Sequence, residues 1–570
     1  MAQINITDDN QIKANFNVKT SSELRFSLAD TSLLNIKISH GKIIDKIWYL
    51  PKGLNQSVTF SASVKKPPEL EPLNDNVVKQ SNEKQALVWS DTSSENAELP
   101  AGYRLENALA PNDKFGRQVL FEPLGIAFTE QGNAYVSTRT SGVWKITDNY
   151  WQQFAEGIFD SLGVVVDSEN TIVVGEKTGL TRLVDKDSDG WADSRINLSD
   201  SFTFNSNYHE YLHGPIKTLD NGYLYTLNLG HGLSGGYTGE GTMGTAGGYR
   251  GWAMKVDANG KTTPFANGMR SPAGLAINTK GKMYYTDNQG DFHGTSKLYA
   301  LKPGAYYGHP ASLVDLPGRT PTSQDIHWEQ VKDKRDLPVG LLPHGRAMNS
   351  PGSPVWDTTA GSFGPYKEQM FISDQTKSNI FRVHTETVNN IEQSALLPFM
   401  AVTASGPMRL TFSPNDNSLW IGQTGRGWWP KGGNLSALQR IVYDGKTLPQ
   451  SIYSIEVQPD GFKVNFTKPI SKSERATFDQ LVISSWYYIE NFNYGSKEQE
   501  NRVEKTSIKQ WSDDGKSFSV TVENFKIDEN RPAIHTSRVY EIDASKTVLG
   551  KQLPEFHTKA WYTLNSIPKK

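Results

Sequence analysis

The chain has 570 residues, no cysteine, 59 basic against 61 acidic residues and a net charge of −2. Those numbers exclude a disulfide framework, a thiolate metal site, a cysteine nucleophile and a Cys-x-x-Cys-His haem attachment. The charge balance offers nucleic acid or anionic membrane no general attraction, and no apolar run approaches the length of a membrane helix.

The opening residues, Met1-Ala-Gln-Ile-Asn-Ile-Thr, lack a basic region followed by an apolar one. We expect a processed form of a periplasmic or secreted protein, with an added Met. Up to about residue 65, polar and apolar residues alternate in short runs such as Ile12-Lys-Ala-Asn-Phe-Asn-Val and Val58-Thr-Phe-Ser-Ala-Ser-Val. Period two with intervening turn residues predicts the strands of a small β-domain over 1–65. Residues 66–100, rich in Lys, Pro, Glu, Asn and Ser, have a linker composition.

From 101 to 447 one phrase returns six times: a glycine or proline, a β-forming run, a polar turn and a second β-run. The copies start at Pro123, Leu162, Gly214, Pro272, Ser353 and Gly406. Repeats with a period of tens of residues mark supersecondary units that bury their faces only against each other. Six such units predict a six-bladed β-propeller, whose loops converge on an axial mouth. After Pro449 the alternation in Ser451-Ile-Tyr-Ser-Ile-Glu-Val, Gly461-Phe-Lys-Val-Asn-Phe and Ser517-Phe-Ser-Val-Thr-Val predicts an immunoglobulin-like β-sandwich over 448–570. The fold class is all-β.

Within the second repeat, Asp185-Lys-Asp187-Ser-Asp189-Gly190-Trp-Ala-Asp193 sets three carboxylates at alternate positions, a glycine for the sharp turn and a fourth acid at position nine. Hard oxygen ligands at that spacing wrap calcium. Ile196 stands at position twelve, so the bidentate glutamate of an EF-hand is missing. The bland alternative is an acidic surface loop without an ion.

Just before the third repeat lies Asn207-Tyr-His209-Glu210-Tyr-Leu-His213-Gly. A neutral imidazole at the mouth is a candidate general base. His209 and His213 are therefore candidate catalytic residues, against the alternatives of hydrogen-bonded structural histidines or metal ligands.

Three further stretches follow. Gly268-Met-Arg270-Ser-Pro starts the fourth repeat, and Arg270 can clamp a carboxylate. Asp287-Asn288-Gln289-Gly290-Asp291 offers oxygens for calcium, or else forms an ordinary Asx-type turn. The last repeats carry Lys377, Arg409 and the turn Gly425-Arg426-Gly-Trp428-Trp429, where Trp428 or Trp429 can stack on a sugar ring or an aromatic cofactor.

From Phe265 through Asp291 to the Gly304-Ala-Tyr-Tyr-Gly-His-Pro segment, the chain resembles the glucose/sorbosone dehydrogenase family. The resemblance covers roughly 101–447. It implies a six-bladed propeller binding pyrroloquinoline quinone (PQQ) with calcium. It also implies His209 as the base, with His213 the fallback, removing a sugar hydroxyl proton while hydride passes to the quinone. It implies that Arg270, Lys377 and Arg409 contact the cofactor, and that Gln289 and Gly290, with Asp291 next, hold calcium. The chain departs from the pattern at Ser271, where the glucose dehydrogenases have Asn, and at Asp291, where they have Pro. It also has Arg409-Leu-Thr where they carry two arginines one residue apart.

Three readings follow. The first is a quinoprotein-like sugar dehydrogenase that passes electrons to an acceptor. The second is a lyase or hydrolase of an acidic polysaccharide, with a tyrosine (Tyr208, Tyr211 or Tyr307) sharing proton transfer and Arg270 and Arg409 on a uronate. The third is a non-catalytic carbohydrate-binding protein. A propeller alone does not choose between them.

Overall fold

The computed structural model describes residues 2–6, 11–19, 21–27, 34–64, 84–92, 97–204, 209–231, 243–245, 247–319, 331–426, 429–528 and 537–569. The first 81 residues form one unit and the remainder another. In the first, a four-stranded antiparallel sheet (Ala2–Ile6, Gln11–Lys19, Asn55–Val64, Leu34–Ile38) accompanies a three-stranded one (Leu24–Ser27, Ile47–Leu50, Lys42–Ile44). Trp48, Leu50 and Val58 are buried there against Phe16, Phe26 and Phe60.

The second unit bears out the six-bladed propeller. The innermost strands are Pro123–Phe128, Gly163–Ser168, Leu212–Lys217, Gly274–Ile277, Pro351–Trp356 and Pro407–Phe412, each leading its own antiparallel sheet. Blade 6 takes its fourth strand from the start of the domain: Tyr103–Ala108 pairs with Ser436–Tyr443, Leu105 opposite Ile441. This closes the ring with a non-local pairing. Two short strands, Gln85–Ala86 and Trp89–Asp91, add to the outer edges of blades 1 and 6.

The inner strands need glycine for a steric reason. A Cβ on Gly163 of blade 2 would lie 2.3 Å from the carbonyl oxygen of Gly214 in blade 3. One on Gly274 of blade 4 would lie 2.2 Å from that of Gly352 in blade 5. Backbone meets backbone around the axis, so neither side yields cheaply. Gly163→Ala should destabilise the propeller by roughly 1–3 kcal/mol. Urea melts of both proteins check this, and an unchanged midpoint would mean that the blades can spread without cost.

Beyond the propeller, Ile452–Gln458, Gly461–Phe466, Ser517–Val522 and Thr506–Trp511 form one sheet of the C-terminal sandwich. The other sheet is continuous with blade 5: Lys559–Leu564 pairs with Ile391–Ala401, followed by Arg538–Asp543, Val482–Tyr487 and Gln499–Val503. Phe462, Phe478, Phe518, Tyr540 and Tyr562 fill the sandwich together with Ala395 and Leu397 from blade 5. The module is thus welded to the propeller through a shared sheet and a shared core. No helix among the described residues is long and apolar enough to cross a membrane.

Candidate functional site at the propeller mouth

Four polar residues recur at equivalent places around the axis. Arg139, Asn288, Gln375 and Thr424 follow or end the second strand of blades 1, 4, 5 and 6. Each donates its backbone N–H to the carbonyl of a residue one to three positions before the inner strand (Glu122, Ser271, Ser350 and Gly406) at 2.9–3.3 Å. Their side chains therefore project where the inner strands begin. With His209, Tyr211, His213 and Ser271 they line a small cleft, with a cavity volume of about 30 Å³, floored by Leu124, Leu162, Ala273 and Met408. The floor separates it from an axial channel walled by the inner strands themselves.

Both histidines from the third repeat reach this cleft, one on each side of Tyr211, whose ring lies 6.0 Å from each imidazole. Their hydrogen bonds assign opposite tautomers. His209 Nδ1 lies 3.2 Å from the carbonyl oxygen of Leu229, which can only accept. Nδ1 therefore carries the proton and Nε2 is the accepting nitrogen. Asn228 Nδ2 gives one of its two hydrogens to the His209 carbonyl and lies 3.1 Å from the same Nδ1. At His213, Arg409 Nη2 donates to Nδ1 at 3.3 Å, so Nε2 carries the proton. Burial, reinforced by the Arg409 charge, holds the His213 pKa well below its ordinary value, so this imidazole is neutral. One cleft thus contains one accepting imidazole, His209, and one donating neutral imidazole, His213.

Arg250, which the sequence reading did not single out, holds the histidine segment in place. Fully buried, it donates to the carbonyls of Asn228 (2.8 Å) and Tyr211 (2.9 Å) and to Asn228 Oδ1 (3.1 Å). Burial lowers its pKa to about 10, against the pull of Glu210. On the blade 1 side, Arg139 pairs with Asp160 at 2.5 Å, and Lys177 lies 4.7 Å from the Tyr211 ring centroid.

The residues expected to hold the cofactor are placed differently. Arg409 donates to the carbonyls of Leu162 (2.9 Å), Ala273 (2.8 Å) and Met408 (3.0 Å) as well as to His213. It ties blades 2, 3, 4 and 6 together across the axis, and burial lowers its pKa to about 10. Arg270 faces Asp291 at 3.7 Å and has the ring of Tyr494, from the C-terminal module, 5.0 Å from its guanidinium. Gly290 packs directly on that guanidinium, where a Cβ would clash at 1.9 Å. Arg270 does not line the cleft, although its neighbour Ser271 does. The ammonium of Lys377 donates to the carbonyls of Gly345 and Arg346.

The Gln289 side chain donates to the Gly294 carbonyl at 3.2 Å. The Gly290 carbonyl accepts from Gly495 (2.9 Å) and His293 (3.1 Å). Asp291 lies between Arg270 and His309, whose Nε2 is 3.4 Å from Asp291 Oδ2. Trp428 lies outside the described residues. Trp429 is 93 % exposed with φ 46°.

A strap from the C-terminal module explains much of this. Within the stretch from Glu490 to Ser496, Phe292 N–H donates to the Asn491 carbonyl (2.6 Å), Gly495 N–H to Gly290 and Ser496 N–H to Gly294 (2.8 Å). Glu490, buried, accepts from Gly294 N–H (2.7 Å) and pairs with Lys297 (3.0 Å) and Arg335 (3.1 Å). Away from the mouth, one carboxylate oxygen each from Asp185, Asp187 and Asp193 gather within 4.8 Å. Asp189 is not in that group; its Oδ1 accepts from Trp191 N–H at 2.8 Å.

The polar ring was findable in the sequence. Aligning the ends of the second strands (Thr138-Arg139, Asp287-Asn288, Asp374-Gln375, Gln423-Thr424) marks one polar position in each of blades 1, 4, 5 and 6.

Comparison with known proteins gives the following. A family model described as "Domain of unknown function (DUF7133)" matches residues 146–391. No curated protein matches the chain. Among solved structures, the PQQ-bound aldose sugar dehydrogenase of Streptomyces coelicolor is similar at 14% identity and a TM-score of 0.41, over 60% of this chain and 99% of that one. The PQQ domain of pyranose dehydrogenase from Coprinopsis cinerea is similar at 13% identity and 0.43, over 61% and 97%. A luciferin-regenerating enzyme is similar at 12% identity and 0.39, over 61% and 94%. The fold of this chain rests on the sheet pairing described above, and the activities of those proteins are their own.

Proposed function

We propose that the mouth cleft is the active site of a carbohydrate oxidoreductase in which His209 removes the proton of a sugar hydroxyl. The observation that carries this is the pair of imidazoles with oppositely directed hydrogen bonds lining one cleft. Nε2 of His209 would accept the hydroxyl proton while the hydride on the same carbon passes to a separate two-electron organic acceptor, and Nε2–H of His213 would donate a hydrogen bond to a neighbouring oxygen of the sugar. Asn288, Gln375, Thr424 and Ser271 would supply the mixed donors and acceptors that a polyol needs once the cleft widens to admit one.

Pyrroloquinoline quinone, when bound, supplies a hydride acceptor. The side chains expected to hold it do not fit that task as arranged. Arg409 is committed to three carbonyls, and Arg270 is enclosed by Gly290 and Tyr494. The Gly290 carbonyl, expected on calcium, already accepts two N–H groups.

That same commitment of the cations favours a second reading, proton transfer without a bound oxidant: elimination on an acidic glycan. There His209 would take the proton from carbon, and the Tyr211 hydroxyl, with Arg139 and Lys177 close to its ring, would protonate the leaving oxygen.

One assay separates the readings. Chelator-treated full-length protein is given calcium, PQQ, a dye acceptor and a panel of sugars, and in parallel acidic glycans with ultraviolet detection of unsaturated products. Sugar-dependent dye reduction that needs no added quinone, or needs another acceptor, supports the first reading with the clamp as described. Quinone-dependent reduction supports the dehydrogenase but requires the strap and Arg270 to rearrange. Ultraviolet product alone moves the assignment to the lyase, and silence in both arms would sink the enzyme.

A further inference from the structure

We propose that the turn between the third and fourth strands of blade 2 is a calcium site formed by Asp185, Asp187 and Asp193, and that the ion fastens blade 2 to blade 1. The turn lies between Gly179–Val184 and Ser194–Ser199. Inner strands start at the mouth, so a connection from third to fourth strand falls on the opposite face. The site is therefore separate from the cleft chemistry.

Two independent observations point to a cation. First, three carboxylate oxygens lie within 4.8 Å of one another. That is about the widest separation of two oxygens bound to one ion at ~2.4 Å, a calcium–oxygen distance. Second, Asp185 is only 4% exposed, and its Oδ1 has no hydrogen-bond partner. A buried carboxylate oxygen left unpaired beside two like charges is costly unless a cation joins it. Among the described residues, no lysine or arginine pairs with Asp185, Asp187 or Asp193. An all-oxygen set without His or Cys suits calcium over zinc or copper.

The turn is already shaped for the task. Gly190 takes φ 91°, and its N–H is donated to Asp185 Oδ2 at 3.0 Å. Lys186 N–H fixes Asp193 Oδ2 at 2.7 Å. Asp189, facing away, gives its carbonyl to Gln152 of blade 1 at 3.1 Å, and Gly190 packs against the same Gln152. An ion that orders this turn therefore orders the seam between two blades.

The test uses full-length protein freed of metal by a chelator, with terbium as the probe and Trp191, inside the turn, as its antenna. Expected are Trp-excited terbium luminescence that saturates near one ion per chain, displacement by calcium with an affinity on the order of 10⁻⁴ M, and a melting temperature raised by roughly 2 °C in millimolar calcium. Asp187 and Asp193 are exposed, so D187N/D193N should fold; it should lose the luminescence and the calcium-dependent shift together. Trp191→Phe should lose the luminescence yet keep the shift. Luminescence and a calcium shift that persist in D187N/D193N, or neither effect in the wild type, would overturn the site.

Discussion

Replacing Glu490 by alanine is expected to cost about 3–5 kcal/mol, the largest loss of stability from any single side chain discussed above. Glu490 belongs to the C-terminal module, yet its carboxylate is buried inside blade 4. It pairs there with Lys297 and Arg335 and accepts from the backbone of Gly294. Burial opposes its ionisation, but Arg335, Lys297 and that N–H together hold its carboxyl below the usual range. Burial pulls Lys297 the other way, down to about 8, although Glu490 supports its charge. Alanine would leave two enclosed cations without their paired carboxylate, and Lys297 would then shed its proton. Equilibrium urea melts measure the loss. A cycle with Lys297→Met tests the cause: the double variant should recover a good part of the stability that E490A loses. An E490A melt within 1 kcal/mol of wild type would mean that the strap is peripheral. Limited proteolysis gives a second readout, because cleavage should appear near Tyr494 in E490A while the sandwich core stays resistant.

That strap is also the clearest limit of the sequence. The propeller was legible because its signal is repeated and local: six phrases with a glycine or proline at the inner strand. The Gly163 and Gly274 contacts supply the physical reason for the glycines. The sandwich was legible from period two. Neither period nor spacing reports that Glu490 reaches Lys297, or that Lys559–Leu564 extends the sheet of blade 5, because those pairings join distant segments and depend on how the finished layers meet.

Arg270 and Arg409 illustrate a related difficulty. An arginine at a strand start reads equally as a clamp for a ligand carboxylate or as a tie between carbonyls. What separates the two is the number of backbone acceptors within reach, and this becomes countable only in three dimensions. Arg409 finds three, from blades 2, 4 and 6. His209 and His213 were recognisable as candidates from their density in one short segment, but their opposite tautomers depend on Leu229 and Arg409, twenty and almost two hundred positions away.

Those tautomers make the His209 prediction sharper than a simple knock-out. His209→Asn places an amide N–H where Nδ1–H stands, so the bond to the Leu229 carbonyl and the local backbone should survive, but it has no atom at Nε2. On the assay that turns over, kcat/KM should fall by roughly 10²–10⁴, the usual worth of a positioned general base. Substrate affinity and melting temperature should change little. The acidic limb of the pH profile should vanish, because His213, held neutral by burial and Arg409, does not titrate in that range to replace it. His213→Gln is the informative companion. It loses the donor that Nε2–H presents to the cleft and disturbs the Arg409 tie, so it should weaken both binding and turnover while leaving the acidic limb in place. If H209N keeps wild-type turnover with its acidic limb intact, the base lies elsewhere, and Tyr211, set between the two imidazoles, becomes the residue to replace next.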